Sequence, residues 1–285
     1  MANIRLIKRR IKSAKNIAQI TKAMELVAAS KMKKAQAQAL AGKLYAAKIY
    51  DMVMLLASKV TTANHPLLTK PTKLVGKRLV ILISTNKGLC GGLNTTLFRF
   101  TLREYGARAP HDFVVLGRKA AVFLSQNADA ISADFSAEVP FSKSVPAVTA
   151  LAIQEFIKGK YDGVDLVYNE FISALKQQPR KKTILPLTIE ASQATEEKHM
   201  GEFLIEPSVA EVFDALLPHY VENQIRDAIL QAEASEHSAR MIAMRNATDN
   251  AMSFMQELTL VYNKARQEKI TYEISDIVTA RIAVE

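Results

Sequence analysis

The chain has 285 residues, of which 49% are apolar and 23% charged, and its formal net charge is +10. Those totals suit one globular unit plus an extended element in a soluble or peripheral protein, and no run of 18 uninterrupted apolar residues exists to cross a bilayer. The single cysteine, Cys90, excludes an internal disulfide and reads as a buried structural thiol in a reducing compartment.

The charge is unevenly placed. Residues 1–50 hold 12 Lys and Arg against one acid, Glu25, for +11, so the remainder sums to −1. This basic, amphipathic start has the superficial character of a transit peptide, but the pattern runs far past any presequence length. On residue types alone the stripe is the solvated face of a helix, a surface for an acidic protein, or a contact for nucleic acid. Aromatic stacking residues are absent from it until Tyr45.

From the N-terminus, apolar residues fall at Ile4, Ile7, Ile11 and Ala14, then at Ile17, Ile20, Met24 and Val27, in steps of three and four. Each run fits a coiled-coil seam, and the extra three-residue step from Ala14 to Ile17 predicts a stammer that overwinds the supercoil. The line continues through Met32, Leu40, Leu44, Ile49, Met52 and Leu56, which predicts a helix over residues 3–59, about 84 Å long at the usual rise. Such a helix needs a partner for its apolar face.

The C-terminal region offers one. Met241, Met244, Thr248, Ala251, Met255, Leu258, Tyr262 and Ala265 repeat in strict steps of three and four, widened by Ala247, Phe254 and Val261. Pro207 at a first-turn position, with Ser208 and Glu211 spaced as a capping box, predicts a start near residue 207, and Pro218 predicts a kink or break. Small residues such as Ala14, Ala18, Ala28 and Ala35 on one helix, and Ala243, Ala247 and Ala251 on the other, predict close approach. If a domain joins the two helices at one end, they pair antiparallel.

Between them the period changes. Residues 78–84, 113–116 and 164–168 are short apolar runs of the kind buried in parallel sheets, and helical stretches lie near 92–105, 118–127 and 145–159. That alternation predicts an α/β domain with right-handed crossovers, closed by a strand around 183–188. A polar, Pro-bearing link over 61–77 precedes it.

Catalytic chemistry finds little footing. Gly88-Leu-Cys-Gly-Gly-Leu-Asn94 stands between the first strand and a helix, where phosphate sites occur, but it matches neither G-x-G-x-x-G nor a P-loop. Gly88, Gly91 and Gly92 therefore read as a tight turn that uses glycine's backbone freedom. His65, His111, His199, His219 and His237 have no metal-ligand spacing, the pair Glu196 and Glu197 sits in polar sequence, and no serine has a nucleophile-elbow context.

Four segments carry a family resemblance. Ile20-Thr-Lys-Ala-Met-Glu-Leu-Val-Ala-Ala-Ser-Lys-Met-Lys-Lys34 is similar to the N-terminal helix signature of the gamma subunits of F-type ATP synthases. The Gly88 motif agrees, as do Ala234-Ser-Glu-His-Ser-Ala-Arg-Met241 with Ala247-Thr-Asp-Asn250, and Leu260-Val-Tyr-Asn-Lys-Ala-Arg-Gln267 leading into residues 270–277. The resemblance implies a long antiparallel coiled coil of N- and C-terminal helices with a central Rossmann-like α/β domain. Its parts are 1–60 (helix), 61–76 (linker), 77–205 (foot) and 206–285 (helix).

By that resemblance the chain is a non-catalytic rotor shaft of a proton-translocating ATP synthase, with no catalytic residue, cofactor or metal of its own. Its implied partners are the alpha and beta subunits of the catalytic head, the epsilon subunit and the membrane-embedded c-ring, with no nucleic acid and no membrane span. Met24, Lys31, Lys33, Lys34, Arg240 and Asn246 are implied to meet the beta subunits, whose acidic lever loops would give the basic stripe a partner, with residues 258–276 extending that surface. The implied location is the cytoplasmic face of a bacterial inner membrane. One departure is Thr279-Ala280-Arg281-Ile282, where the family usually has small residues including glycine. The alternatives from the residues alone are a coiled-coil scaffold, a nucleic-acid-binding protein and a small α/β enzyme with helical appendages.

Overall fold

The computed structural model describes residues 4–57, 65–69, 75–106, 110–127, 130–188 and 205–282. Most of the link over 61–77, the pair Glu196 and Glu197, His199 and the side chain of Leu44 lie outside the described residues. The chain divides into two compact units, Met1–Ala29 with Arg240–Glu285, and Ser30–Ala239.

The larger unit is built on a five-stranded sheet of β1 (Arg78–Ile83), β2 (His111–Leu116), β3 (Ile131–Asp134), β4 (Gly163–Phe171) and β5 (Gln177–Leu185). Its order is β3-β2-β1-β4-β5, and only the β4–β5 pair is antiparallel. The central strands are buried on both faces, which is why they read as continuous apolar runs. On one face Val80, Leu82, Phe113, Val115 and Val167 pack against α2 (Leu93–Tyr105) and α3 (Arg118–Gln126). On the other, Leu79, Ile81, Ile83, Val164 and Leu166 pack against α4 (Val145–Ile157). Ile49, Val53 and Leu56 of α1 (Ile4–Ala57) join that second core, as do Phe213, Leu217, Val221 and Ile225 of α5 (Val209–Ile282).

Two strands differ from expectation. β3 has only four residues, largely exposed at the sheet edge, and β5 begins at Gln177 rather than near Thr183. The first six residues of β5, Gln-Gln-Pro-Arg-Lys-Lys, lack an apolar run because β5 is an outer strand, where Lys, Arg and Pro deter pairing with other chains.

α5 starts with Ser208 as its cap, since the Glu211 N–H donates to Ser208 Oγ at 3.2 Å, and this leaves Pro207 outside the helix rather than in its first turn. The expected break at Pro218 does not occur, and the helix runs through it. Proline removes the donor for the Asp214 carbonyl, but Asp214 is on the exposed side, while Leu217 and Val221 are fully buried and hold both flanks to the sheet.

In the smaller unit Thr21 Oγ1 lies 2.7 Å from Thr248 Oγ1, and residues 10–17 of α1 share a groove with residues 247–254 of α5. Descending numbers on one helix thus meet ascending numbers on the other, and the pairing is antiparallel. The α5 seam follows the expected line: Met244 and Thr248 are buried, and Met241, Ala251, Met255, Leu258, Tyr262 and Ala265 are half-buried.

The α1 seam follows its expected line through Ile4, Ile7, Ile11 and Ala14 and departs from it after that. Ile7, Ala14, Ala18 and Ala28 are buried, with Ile4, Ile11, Thr21 and Glu25 half-buried between them, an unbroken alternation of three and four with no stammer. Ile17, Ile20 and Val27, read from sequence as the seam, are 52%, 61% and 57% exposed. From Ala14 onward the reason is size: alanine and threonine there let the two helices approach closely where an isoleucine would force them apart, while nearer the start of α1 the seam does hold Ile7 and Ile11. In the larger unit Met32, Ala35, Ile49, Val53 and Leu56 are buried, whereas Leu40 and Met52 face outward.

Candidate functional site

The sheet order determines where a ligand would sit. β1 lies between β2 and β4, so the crossover connections diverge at the carboxyl ends of β1 and β4, the switch point at which open α/β sheets bind ligands. The glycine motif borders it. Gly91 has φ +59° and needs glycine, but Gly88 and Gly92 do not adopt a positive φ, and Gly92 is the N-cap of α2. Of the three turn glycines, only Gly91 uses backbone freedom, while the neighbouring Leu89 takes φ +62°. Asn94 ties the loop down, its Nδ2 donating to Thr85 Oγ1 at 2.8 Å and to Cys90 Sγ at 3.4 Å.

The first backbone donors of α3, the helix that follows β2, are used internally. At the start of α3 the Arg118 N–H donates to Asn86 Oδ1 (2.8 Å), Lys119 to the Thr85 carbonyl (3.1 Å) and Ala120 to Ser84 Oγ (2.9 Å). Those are the donors a phosphate would require. Gly117, just before them, has φ +107°, and a Cβ there would fall within 2.7 Å of Ser84 Oγ, so strand end and helix start are in direct contact.

The crevice itself is filled from within the larger unit. Ala232, Glu233 and Glu236 of α5 close over Ser84, Thr85 and Asn169 at the strand ends, leaving a cavity of about 10 Å³, room for no more than one water. Burial, and secondarily the charge of Glu236, push the Glu233 carboxyl above its ordinary range. Among the described residues no group of three or more His, Cys, Asp or Glu side chains converges as a metal site, and no helix is long and apolar enough to cross a membrane.

The chemistry that remains is surface chemistry. Lys31, Lys33 and Lys34 are exposed on the part of α1 that belongs to the larger unit. In the smaller unit Met24 and Arg240 are half-buried and Asn246 is exposed, and the Thr21–Thr248 contact sets Met24 at about the level of Asn246. Alongside Met24 runs the exposed apolar line of Ile17, Ile20 and Val27, which reasoning from sequence assigned to the helix pair. The signal that could have separated them is the parallel line of small residues one position away. On α5 every described residue after Ala265 is exposed, including Ile270, Ile274, Ile277 and Val278. Apolar lines left open in this way mark contact surfaces.

Comparison with known proteins supplies the family. A model of the ATP synthase family described simply as "ATP synthase" matches residues 3–284. The chain is 42% identical over 298 residues to an ATP synthase gamma chain of Opitutus terrae, covering 99% of each chain. It is 41% identical to one from Dehalococcoides mccartyi, covering 100% of each. Among solved structures it resembles a chain from the central stalk and c-ring of the Tetrahymena thermophila mitochondrial ATP synthase, at 26% identity and TM-score 0.57 over 80% of this chain and 99% of that one. It also shares its fold with a chain of the Euglena gracilis mitochondrial enzyme, at 21% identity and TM-score 0.65 over 99% and 94%. The closed crevice, the paired terminal helices and the end-to-end relatives lead to one assignment: the chain belongs to the ATP synthase gamma-chain family and is a non-catalytic subunit of that complex.

Proposed function

We propose that the subunit is the shaft that turns within the ring of alpha and beta subunits and carries c-ring rotation to the beta subunits, where the catalytic sites reside. Differential contacts between an asymmetric helix pair and each beta subunit supply the coupling. Met24, Lys31, Lys33, Lys34, Arg240 and Asn246 form the beta-facing surface, with residues 1–60 and 206–285 as the shaft, 61–76 as its link and 77–205 as the foot. The epsilon subunit and the c-ring are partners of the foot, and the complex works at the cytoplasmic face of a bacterial inner membrane. The observation that carries this reading is the exposed basic face of α1, Lys31, Lys33 and Lys34, on a helix whose other side is taken up by packing. It suits an acidic protein surface.

Reconstitution with alpha and beta subunits restores ATP hydrolysis if the chain is the shaft. In the complete membrane complex, Lys31→Glu, Lys33→Glu and Lys34→Glu together lower ATP-driven proton pumping through repulsion at the beta surface. An assembled triple variant that pumps as well as the parent removes these lysines from the interface.

A further inference from the structure

Three polar residues on one face of α5 bond to the end of the β4–β5 hairpin. Ser235 Oγ donates to the Asn169 carbonyl at 2.9 Å, and Ser238 Oγ donates to the Ala174 carbonyl at 2.6 Å. Four residues before Ser235, Gln231 Oε1 accepts the Phe171 N–H at 3.3 Å. Gln177 Nε2, which also bonds the Ser173 and Ala174 carbonyls at 3.2 and 3.1 Å, reaches Ser238 Oγ at 3.3 Å. The steps of four and three from 231 to 235 to 238 put all three side chains on the same helix face.

Space does not require these side chains to be polar. Ser235 and Ser238 are fully buried, and the same stretch of helix carries alanine at 228, 232, 234 and 239, which would pack as well. A buried hydroxyl bonded to protein in place of water adds little net stability; what it adds is direction. Elsewhere α5 meets the domain through Phe213, Leu217, Val221, Ile225 and Ile229, apolar contacts that resist separation but do not specify one rotational setting as sharply as a hydrogen bond to a backbone carbonyl.

We infer that Gln231, Ser235 and Ser238 form a clamp that holds α5 in one rotational setting on the β4–β5 hairpin and passes the load on that helix into the sheet. The inference rests on the reading of the chain as a rotating stalk. If the clamp weakens, the helix slips against its own foot and part of each step is lost before it reaches the far end. These are positioning residues, acting through the helix they hold.

The test uses the complete membrane complex carrying Ser235→Ala with Ser238→Ala, or Gln231→Ala as a milder change at a half-buried position. In Gln231→Ala, hydrogen exchange at the Phe171 amide reads the lost bond directly. It should quicken by about fivefold there, with exchange in β1 and β2 unaltered. Proton pumping per ATP hydrolysed should fall in the same variants while hydrolysis itself persists. Unchanged exchange at Phe171 in Gln231→Ala overturns the clamp, and an undiminished pumping ratio in both variants overturns its role in carrying load. A parent complex that hydrolyses ATP but never pumps refutes the stalk reading instead, and Phe171 exchange still decides whether the clamp exists.

Discussion

Arg78 on β1 and Asp165 on β4 meet through two hydrogen bonds of 2.7 Å, one from Nε and one from Nη2. Asp165 is fully buried, and its remaining acceptor positions are filled by Tyr105 OH at 2.8 Å and Thr183 Oγ1 at 2.7 Å. The pair joins the two middle strands to α2 and to β5. Arg78→Ala should cost about 3 kcal/mol in denaturant unfolding of the full chain, because it takes the two-bond partner from a buried carboxylate and leaves only Lys181 Nζ, 3.8 Å away, as counter-charge. Burial raises the Asp165 carboxyl, but hydrogen bonds from Arg78 and Thr183 outweigh that and hold it below its ordinary 3.8. Its contribution is therefore present above that value and lost as pH falls below it, so the acid limb of stability should be shallower in the variant.

Glu233 has the opposite sign. Burial first, and the neighbouring Glu236 second, raise its carboxyl above 4.5, so the folded chain binds this proton more tightly than the unfolded one. The stability linked to it is complete below 4.5 and declines as pH rises through the folded value. Glu233→Gln should melt higher than the parent at neutral pH, with the gap closing on acidification below 4.5. A gap that widens on acidification would refute the assignment.

The helix pair distinguishes its buried and exposed lines by substitution. Ala18→Leu inserts bulk where the helices touch and should destabilise by about 1–3 kcal/mol, whereas Ile20→Ala, on the open side, should stay within about 0.5 kcal/mol. Thermal unfolding of the full chain reads both. The ranking would invert if Ile17, Ile20 and Val27 formed the seam.

Periodicity is enough to find both long helices, because no backbone geometry but a helix keeps an apolar line on one side over so many turns, and the run Met241 to Ala265 matches burial position by position. It misleads on α1, where isoleucines and alanines run in adjacent lines. Hydropathy favours the larger side chain, but packing between two close helices favours the smaller. β1, β2 and β4 are legible since both faces are dry. β5 is not, because an outer strand hides its inward residues, such as Ile184, behind Arg180, Lys181 and Lys182. The glycine motif reads from sequence as a turn using three glycines, but the positive φ within it falls at Gly91 alone, and the close backbone approach lies outside it at Gly117, whose closeness to Ser84 depends on a strand 33 residues away. Ser235 and Ser238 carry no local mark of their role, since their acceptors are 66 and 64 residues distant.

A molecule seeking the space beside Ser84 and Asn169 would have to evict Ala232 and Glu233, and with them the stretch of α5 that packs against the sheet. Occupancy by a metabolite and mechanical integrity exclude each other at this point.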